Sequence, residues 1–141
     1  MEYPAIQTEP KTGQEPLNGA GLERSVVLLD FWRWAHSDII GNAERGVLAE
    51  YIVGLALGVV EGQAREEWVA YDLTTADGIQ IEVKTSSYIQ KWGQERLSTP
   101  SFSIAPHGEG DRRAPVSDVY VFCLHHHQEQ ATINPLDLNQ W

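Results

Sequence analysis

The sequence contains little cysteine and no long hydrophobic run. Cys123 is its only cysteine, so no intramolecular disulfide can form, and a reducing compartment such as the cytoplasm is expected. The longest apolar run, residues 51–60, has ten residues, whereas a membrane-spanning helix needs about 20. The first 21 residues lack the basic start and the apolar stretch of a secretory signal. We therefore expect a cytoplasmic protein without a membrane segment.

Basic side chains are also scarce. The chain has 10 Lys and Arg residues against 20 Asp and Glu residues, which gives a net charge of −10. A surface of that sign repels polyanions. The acidic excess is uneven, however, because residues 84–113 carry 5 basic and 3 acidic side chains. A surface that binds a polyanion is therefore expected to involve the segment after Lys84.

The length and the pattern of residues favour one domain. The 141 residues are enough to enclose a core without a disulfide or a structural metal. Residues 1–22 mix prolines and glycines with polar residues and follow neither a helical nor a strand period. We expect a flexible tail over residues 1–22 and a single domain over residues 23–141.

Two helices are predicted first. Ser25 is a candidate N-cap for an amphipathic helix that ends near His36. Asn42 is a candidate N-cap for a second helix, which should end near Gly58. The second helix is apolar on nearly every side, so we expect it to be buried.

The pattern then changes to that of strands. Residues 68–73 and 79–85 flank an Asp77-Gly78 turn signal and predict a hairpin. Residues 101–105 predict a weaker third strand, and the nearly all apolar residues 119–124 predict a central fourth strand. This order predicts an α/β domain with a small mixed sheet.

Polar side chains converge on the predicted hairpin. Strand alternation places Glu82 and Lys84 on one face, and the hairpin brings Asp72 alongside Glu82. Two carboxylates are oxygen ligands that suit Mg²⁺ or Mn²⁺, and Lys84 is placed to hold a water and neutralise a phosphate. The alternative is a cross-strand salt bridge on a solvent-exposed face.

Glu50 is a further candidate. It is the only carboxylate within residues 47–60, where an unpaired buried charge would be costly. A metal ion shared with Asp72 and Glu82, or an ion pair with Lys84, would satisfy it. A partly exposed glutamate paired with Arg45 or with another element remains the alternative.

The order of these residues resembles that of a known nuclease superfamily. Asp72 near the end of one strand is followed on the next by Glu82-Val83-Lys84, and a helix with Glu50 precedes both. This arrangement resembles the PD-(D/E)xK superfamily, which has the restriction-endonuclease-like fold. The resemblance implies an α/β fold with a central four-stranded mixed sheet flanked by helices, and Mg²⁺-dependent cleavage of phosphodiester bonds. It also implies site roles: Asp72, Glu82 and the Val83 carbonyl as metal ligands, Glu50 as the first-helix acid at the metal, and Lys84 as the catalytic lysine.

The substrate side of the site is less marked. Ser86, Arg112 and Arg113 are candidates for phosphate contacts. Trp92 is expected to pack within its loop, with stacking on a base as the alternative. The sequence thus predicts a metal-dependent nuclease, with DNA as the expected substrate. A catalytically inactive nuclease-like module that binds nucleic acid or protein is the alternative, and a partner protein or a second subunit would help an acidic chain to approach DNA.

Overall fold

The computed structural model describes residues 2–66, 69–104 and 117–141. Two helices precede three strands: α1 spans Leu28–His36, α2 Asn42–Leu57, β1 Leu73–Thr74, β2 Gln80–Ser87 and β3 Val119–His125. Short 3-10 turns follow at Gln130–Thr132 and Leu138–Gln140. The predicted α/β class is confirmed.

The three strands form one mixed sheet with β2 in the centre. β1 pairs antiparallel with β2, with Leu73 opposite Ile81. β3 pairs parallel with β2 along its whole length, from Ile81 opposite Val119 to Ser87 opposite His125. The tight connection between β1 and β2 follows the Asp77-Gly78 prediction, because Gly78 takes a positive φ of 82° that a turn of this kind needs.

The sheet formed by the described residues has three strands and not the four that were predicted. Residues 101–104, the described part of the predicted third strand, lie outside the sheet, and Ala105 lies outside the described residues. β1 is shorter than predicted, since residues 69–72 are not in a strand and residue 68 is also outside the description. β3 lies at the edge of the described sheet rather than in its centre.

α1 starts two residues later than predicted, with Val27 at the cap position, and backbone groups from the preceding segment fix its beginning. The N–H groups of Leu28 and Leu29 donate to the carbonyls of Glu15 and Gly13, at 2.9 and 2.8 Å. These bonds satisfy donors that the first turn of a helix leaves unpaired, and Val27, not Ser25, occupies the cap position. The tail predicted over residues 1–22 therefore includes a segment tied to α1, and the boundary at residue 22 stays a prediction.

α2 ends as predicted but is less buried than predicted. Gly58 closes it in the left-handed conformation, with φ at 67°. At the other end Gly41 occupies the cap position, and the Asn42 side chain instead accepts a bond from the Arg45 guanidinium at 2.6 Å. One apolar stripe faces outward, formed by Val47, Tyr51 and Leu55, which are 36, 52 and 46% exposed. Within the described ranges, no helix has the length and apolarity to cross a bilayer.

The core lies between α2 and the sheet. Ala49 of α2 packs against Ile81 and Val83 of β2, and all three are buried. The partly buried apolar residues around them are Val53, Leu73, Val121, Cys123 and Trp141. Since residues alternate along a strand, burial of Ile81 and Val83 directs Glu82 and Lys84 to the other face, as the sequence predicted.

We expect Gly54→Ala to destabilise the protein, because α2 approaches the following segment closely there. A Cβ on Gly54 would lie 2.2 Å from Val60 Cγ1 and 3.4 Å from Leu73 Cδ2. Overpacking of this kind typically costs about 1–3 kcal/mol. Gly46→Ala in the same helix is the matched control, since nothing lies within 4 Å of its added Cβ. That control should gain up to about 1 kcal/mol from helix propensity. Urea denaturation measures both, and equal effects of the two variants would contradict the close contact.

Candidate active site

Asp72 lies at the beginning of the hairpin, next to the backbone of β2. Its Oδ2 accepts the Val83 N–H at 2.7 Å, and its own N–H donates to the Ile81 carbonyl at 3.0 Å. Asp72 lies one residue before β1, and extension of the register that pairs Leu73 with Ile81 by one residue would set it opposite Glu82. The sequence prediction that the hairpin brings these two acids alongside each other is therefore consistent with the register.

Glu82 and Lys84 form an ion pair on the face of β2 that points away from the core. The side chain of Glu82 is 17% exposed and that of Lys84 is 33% exposed. Both charges are thus partly shielded from water, which strengthens their interaction relative to a fully exposed pair. The carboxylate keeps lone pairs beyond those that one ammonium group occupies.

The Val83 carbonyl points toward the β1 side of the hairpin. In a strand the N–H and C=O of one residue point to the same side, and the Val83 N–H donates to Asp72. A backbone oxygen therefore lies on the same side of β2 as the Asp72 carboxylate.

Glu50 has a partner that the sequence did not reveal. Arg65 binds it with two contacts, from Nε to Oε2 at 2.5 Å and from a terminal guanidinium nitrogen to Oε1 at 3.0 Å. The Glu50 side chain is only 13% exposed. The predicted partners were a metal ion, Lys84, Arg45 or an unspecified residue of another element, and Arg65 is of the last kind. Arg65 lies in a segment without a regular element, so no periodicity related it to α2.

Glu50 and Asp72 share a cavity of about 590 Å³ beside α2. Its wall is largely apolar, and the lining residues that bear on the site are Glu50, Tyr51, Arg65, Tyr71, Asp72 and Leu73. Glu82 and Lys84 are absent from the described lining. Asp72 therefore lies between two sets of charged residues. Glu50 is on the side of the cavity, and Glu82 and Lys84 are on the outer face of β2.

The pKa of Asp72 reflects its position between these charged residues. Burial raises the pKa of its carboxyl above the usual value of 3.8, and repulsion from Glu50 and Glu82 raises it further. The hydrogen bond from the Val83 N–H and the charge of Lys84 act in the opposite direction. Carboxyl groups whose negative charge is disfavoured both by burial and by neighbouring negative charges are common in functional sites.

The remaining predicted residues do not extend the cluster. Ser86 uses its hydroxyl to accept the Ser101 N–H at 3.0 Å. Arg112 and Arg113 lie outside the described residues. Trp92 is 58% exposed, so the expectation that it packs within its loop is wrong. In the described part of the chain, no group of three or more His, Cys, Asp or Glu side chains is arranged to hold a metal ion.

Comparison with models of protein families shows which family the chain belongs to. The family model described as bacteriophage T4 endonuclease IV matches residues 30–141, which is most of the chain. The chain belongs to the bacteriophage T4 endonuclease IV family. Comparisons with curated proteins and with solved structures gave no significant match.

Membership of the endonuclease IV family indicates a nuclease, as the sequence analysis predicted in general terms. The match includes every acid and the lysine of the candidate site, since Glu50, Asp72, Glu82 and Lys84 all lie within residues 30–141. It excludes residues 1–29, so the segment that ties the tail to α1 lies almost entirely outside the matched region.

We expect Asp72→Asn to stabilise the protein at neutral pH. Because folding raises the pKa of Asp72, the folded chain holds this proton more tightly, and stability falls as pH rises above 3.8. Asparagine has no charge to desolvate and can still accept the Val83 N–H. The gain at pH 7 should be up to about 1 kcal/mol, because water screens the half-buried carboxylate.

Urea denaturation at several pH values measures this gain. The difference between Asp72→Asn and wild type should shrink as pH falls toward 3.8. Asp77→Asn in the exposed hairpin turn serves as control and should change stability by less than about 0.5 kcal/mol. A loss of stability in Asp72→Asn at pH 7 would show that the carboxylate is favourably paired in the folded state.

Proposed function

We propose that this chain is a metal-dependent nuclease of the PD-(D/E)xK type that hydrolyses phosphodiester bonds in DNA. The observation that carries the proposal is the hydrogen bond from the Val83 N–H to Asp72 Oδ2, which holds Asp72 beside the part of β2 whose outer face carries Glu82 and Lys84. Membership of an endonuclease family supports the reaction class. The order of acid, acid and lysine along the hairpin supports the finer assignment.

The donor set fits a hard divalent cation. Asp72 and Glu82 would supply carboxylate oxygens, the Val83 main chain a carbonyl oxygen, and Glu50 a further acid on the cavity side. Mg²⁺ commonly takes only one or two protein carboxylates and completes its shell with waters and substrate phosphates. Asp72 and Glu82 would therefore suffice as carboxylate ligands, with Glu50 as a third acid nearby. When bound, Mg²⁺ or Mn²⁺ lowers the pKa of a water and stabilises charge on a phosphoryl group.

The other residues of the site have roles that follow from their charges. Lys84 would leave Glu82 to contact the scissile phosphate, or hold the attacking water, as negative charge develops there. Arg65 fixes the orientation of the Glu50 carboxylate by its two contacts. The backbone N–H of Val83 fixes Asp72 in the same way. The acids are thus positioned before substrate arrives, which is a requirement for efficient catalysis.

The ion pairs also favour a second candidate function. Glu82 is bound to Lys84 and Glu50 to Arg65, so two of the three acids already have cationic partners. A nuclease-like module that binds nucleic acid or protein without cleaving it would have the same arrangement. Metal affinity separates the two functions.

We expect Asp72→Ala, Glu82→Ala and Lys84→Ala each to reduce Mg²⁺-dependent DNA cleavage by about 100-fold or more. Plasmid nicking at fixed enzyme concentration measures the loss, and circular dichroism checks that each variant is folded. Asp77→Asn, in the exposed turn of the same hairpin, is the matched control and should cleave like wild type. Full activity in all three alanine variants would contradict the proposal.

Calorimetric titration with Mn²⁺ tests the metal site without relying on cleavage. Wild type should bind the ion, and Glu82→Ala should not, because one of the two carboxylates has been removed. Asp77→Asn should again resemble wild type. A wild-type protein that binds DNA yet neither binds Mn²⁺ nor cleaves would establish the inactive module instead.

A further inference from the structure

Residues 88–98 form a closed loop directly after β2. The Ser98 N–H donates to the Tyr88 carbonyl at 2.8 Å, so the two ends of the loop meet. Gln94 lies within it, where its Oε1 accepts the Gln90 N–H at 2.7 Å and its Nε2 donates to Ser98 Oγ at 2.9 Å. Loops whose ends meet and whose interior is filled by their own side chains are compact units. The loop is therefore held in one conformation by its own hydrogen bonds.

The base of this loop is anchored in the protein, whereas its tip carries an exposed aromatic ring. Ile89 is 3% exposed, and Ser87 Oγ donates to its carbonyl at 2.7 Å. Trp92, three residues further on, is 58% exposed. Tryptophan is enriched among residues that dominate binding energy. A rigid support that presents this side chain to solvent is suited to binding a flat partner.

The charge of the loop contrasts with that of the rest of the chain. Lys91 and Arg96 flank Trp92, and Glu95 is the only acid among residues 88–98. Lys91 is also paired with Asp38, which ties the loop to the segment after α1. With Lys91, Arg96 and Glu95 counted together, residues 88–98 carry a net charge of +1, whereas the whole chain carries −10. A flat partner that also carries negative charge is therefore favoured.

The loop also begins close to the proposed active site. β2 extends from Gln80 to Ser87 and contains Lys84, and a strand rises about 3.3 Å per residue. The end of β2, where the loop starts, is thus roughly 10 Å along the strand from Lys84. That distance is about three times the 3.4 Å rise per nucleotide of one DNA strand, so a strand held at Lys84 would reach the start of the loop within a few nucleotides.

We propose that Trp92 stacks on an unpaired base of the DNA strand that the proposed active site cleaves, while Arg96 and Lys91 contact the adjacent phosphates. The proposal rests on the nuclease function proposed above. Aromatic rings stack on any base, because every base has a π-face, and flanking cations follow the backbone. Trp92 is thus a binding residue that acts on the position of the strand and not on the reacting bond.

The test measures binding of a fluorescently labelled DNA oligonucleotide by anisotropy, with EDTA present to prevent cleavage. Trp92→Ala should weaken binding about ten-fold or more, and Trp92→Phe should restore most of the affinity. Trp34→Ala is the matched control, because Trp34 is an even more exposed tryptophan, at 81%, on α1. It should bind like wild type.

A second oligonucleotide of equal length and charge, with abasic sites in place of bases, isolates stacking from electrostatics. Wild type should bind it about ten-fold more weakly than the normal strand, whereas Trp92→Ala should bind both alike. Equal binding of both strands by wild type would overturn the proposal even where a variant fails to fold. An unchanged affinity in a folded Trp92→Ala would overturn it as well.

The outcomes also separate this proposal from the nuclease function. A wild-type protein that binds and cleaves DNA, with Trp92→Ala unchanged in affinity, would overturn the stacking role alone. A wild-type protein that neither binds nor cleaves DNA would overturn both proposals.

Discussion

The register between β1 and β2 is the constraint on which the candidate site depends. Side chains alternate along a strand, so a slip of one residue would move Glu82 and Lys84 into the core and expose Ile81 and Val83. Packing of Ala49 against the two buried side chains excludes that slip. The same apolar contacts that stabilise the fold therefore hold the two charged residues on the outer face. Stability and site geometry have one common origin in the alternation of β2.

Features governed by local chemistry could be predicted from the sequence. The alternation of β2, the turn at Gly78 and the end of α2 at Gly58 each depend on a few neighbouring residues. Features governed by distant neighbours could not. The apolar residues of β3 indicated a central strand, yet the described sheet places it at an edge. The same holds for α2, whose outward stripe is formed by Val47, Tyr51 and Leu55. Apolar composition indicates that a helix tends to be buried, but it does not show whether another element covers it.

The candidate site shows the same division between local and distant information. Asp72, Glu82 and Lys84 are related by one hairpin, so their spacing carried the prediction of their placement. Glu50 was singled out by the cost of a buried charge, and the inference that it needs a partner was sound. The identity of that partner, Arg65, depended on how an irregular segment returns to α2. Sequence reasoning thus identified the requirement and could not identify the group that meets it.

The acidity of the chain limits how it could hold the DNA that we propose as its substrate. Affinity from phosphate contacts comes from cations that displace counterions, and the chain has half as many basic as acidic residues. The candidate site adds to the difficulty, because burial and then repulsion from Glu50 and Glu82 raise the pKa of Asp72 and so disfavour further negative charge there. A divalent cation would relieve that repulsion locally, and stacking on an aromatic ring supplies affinity that does not depend on net charge. The affinity of such an acidic nuclease for DNA should therefore fall less steeply with rising salt concentration than that of a basic nuclease.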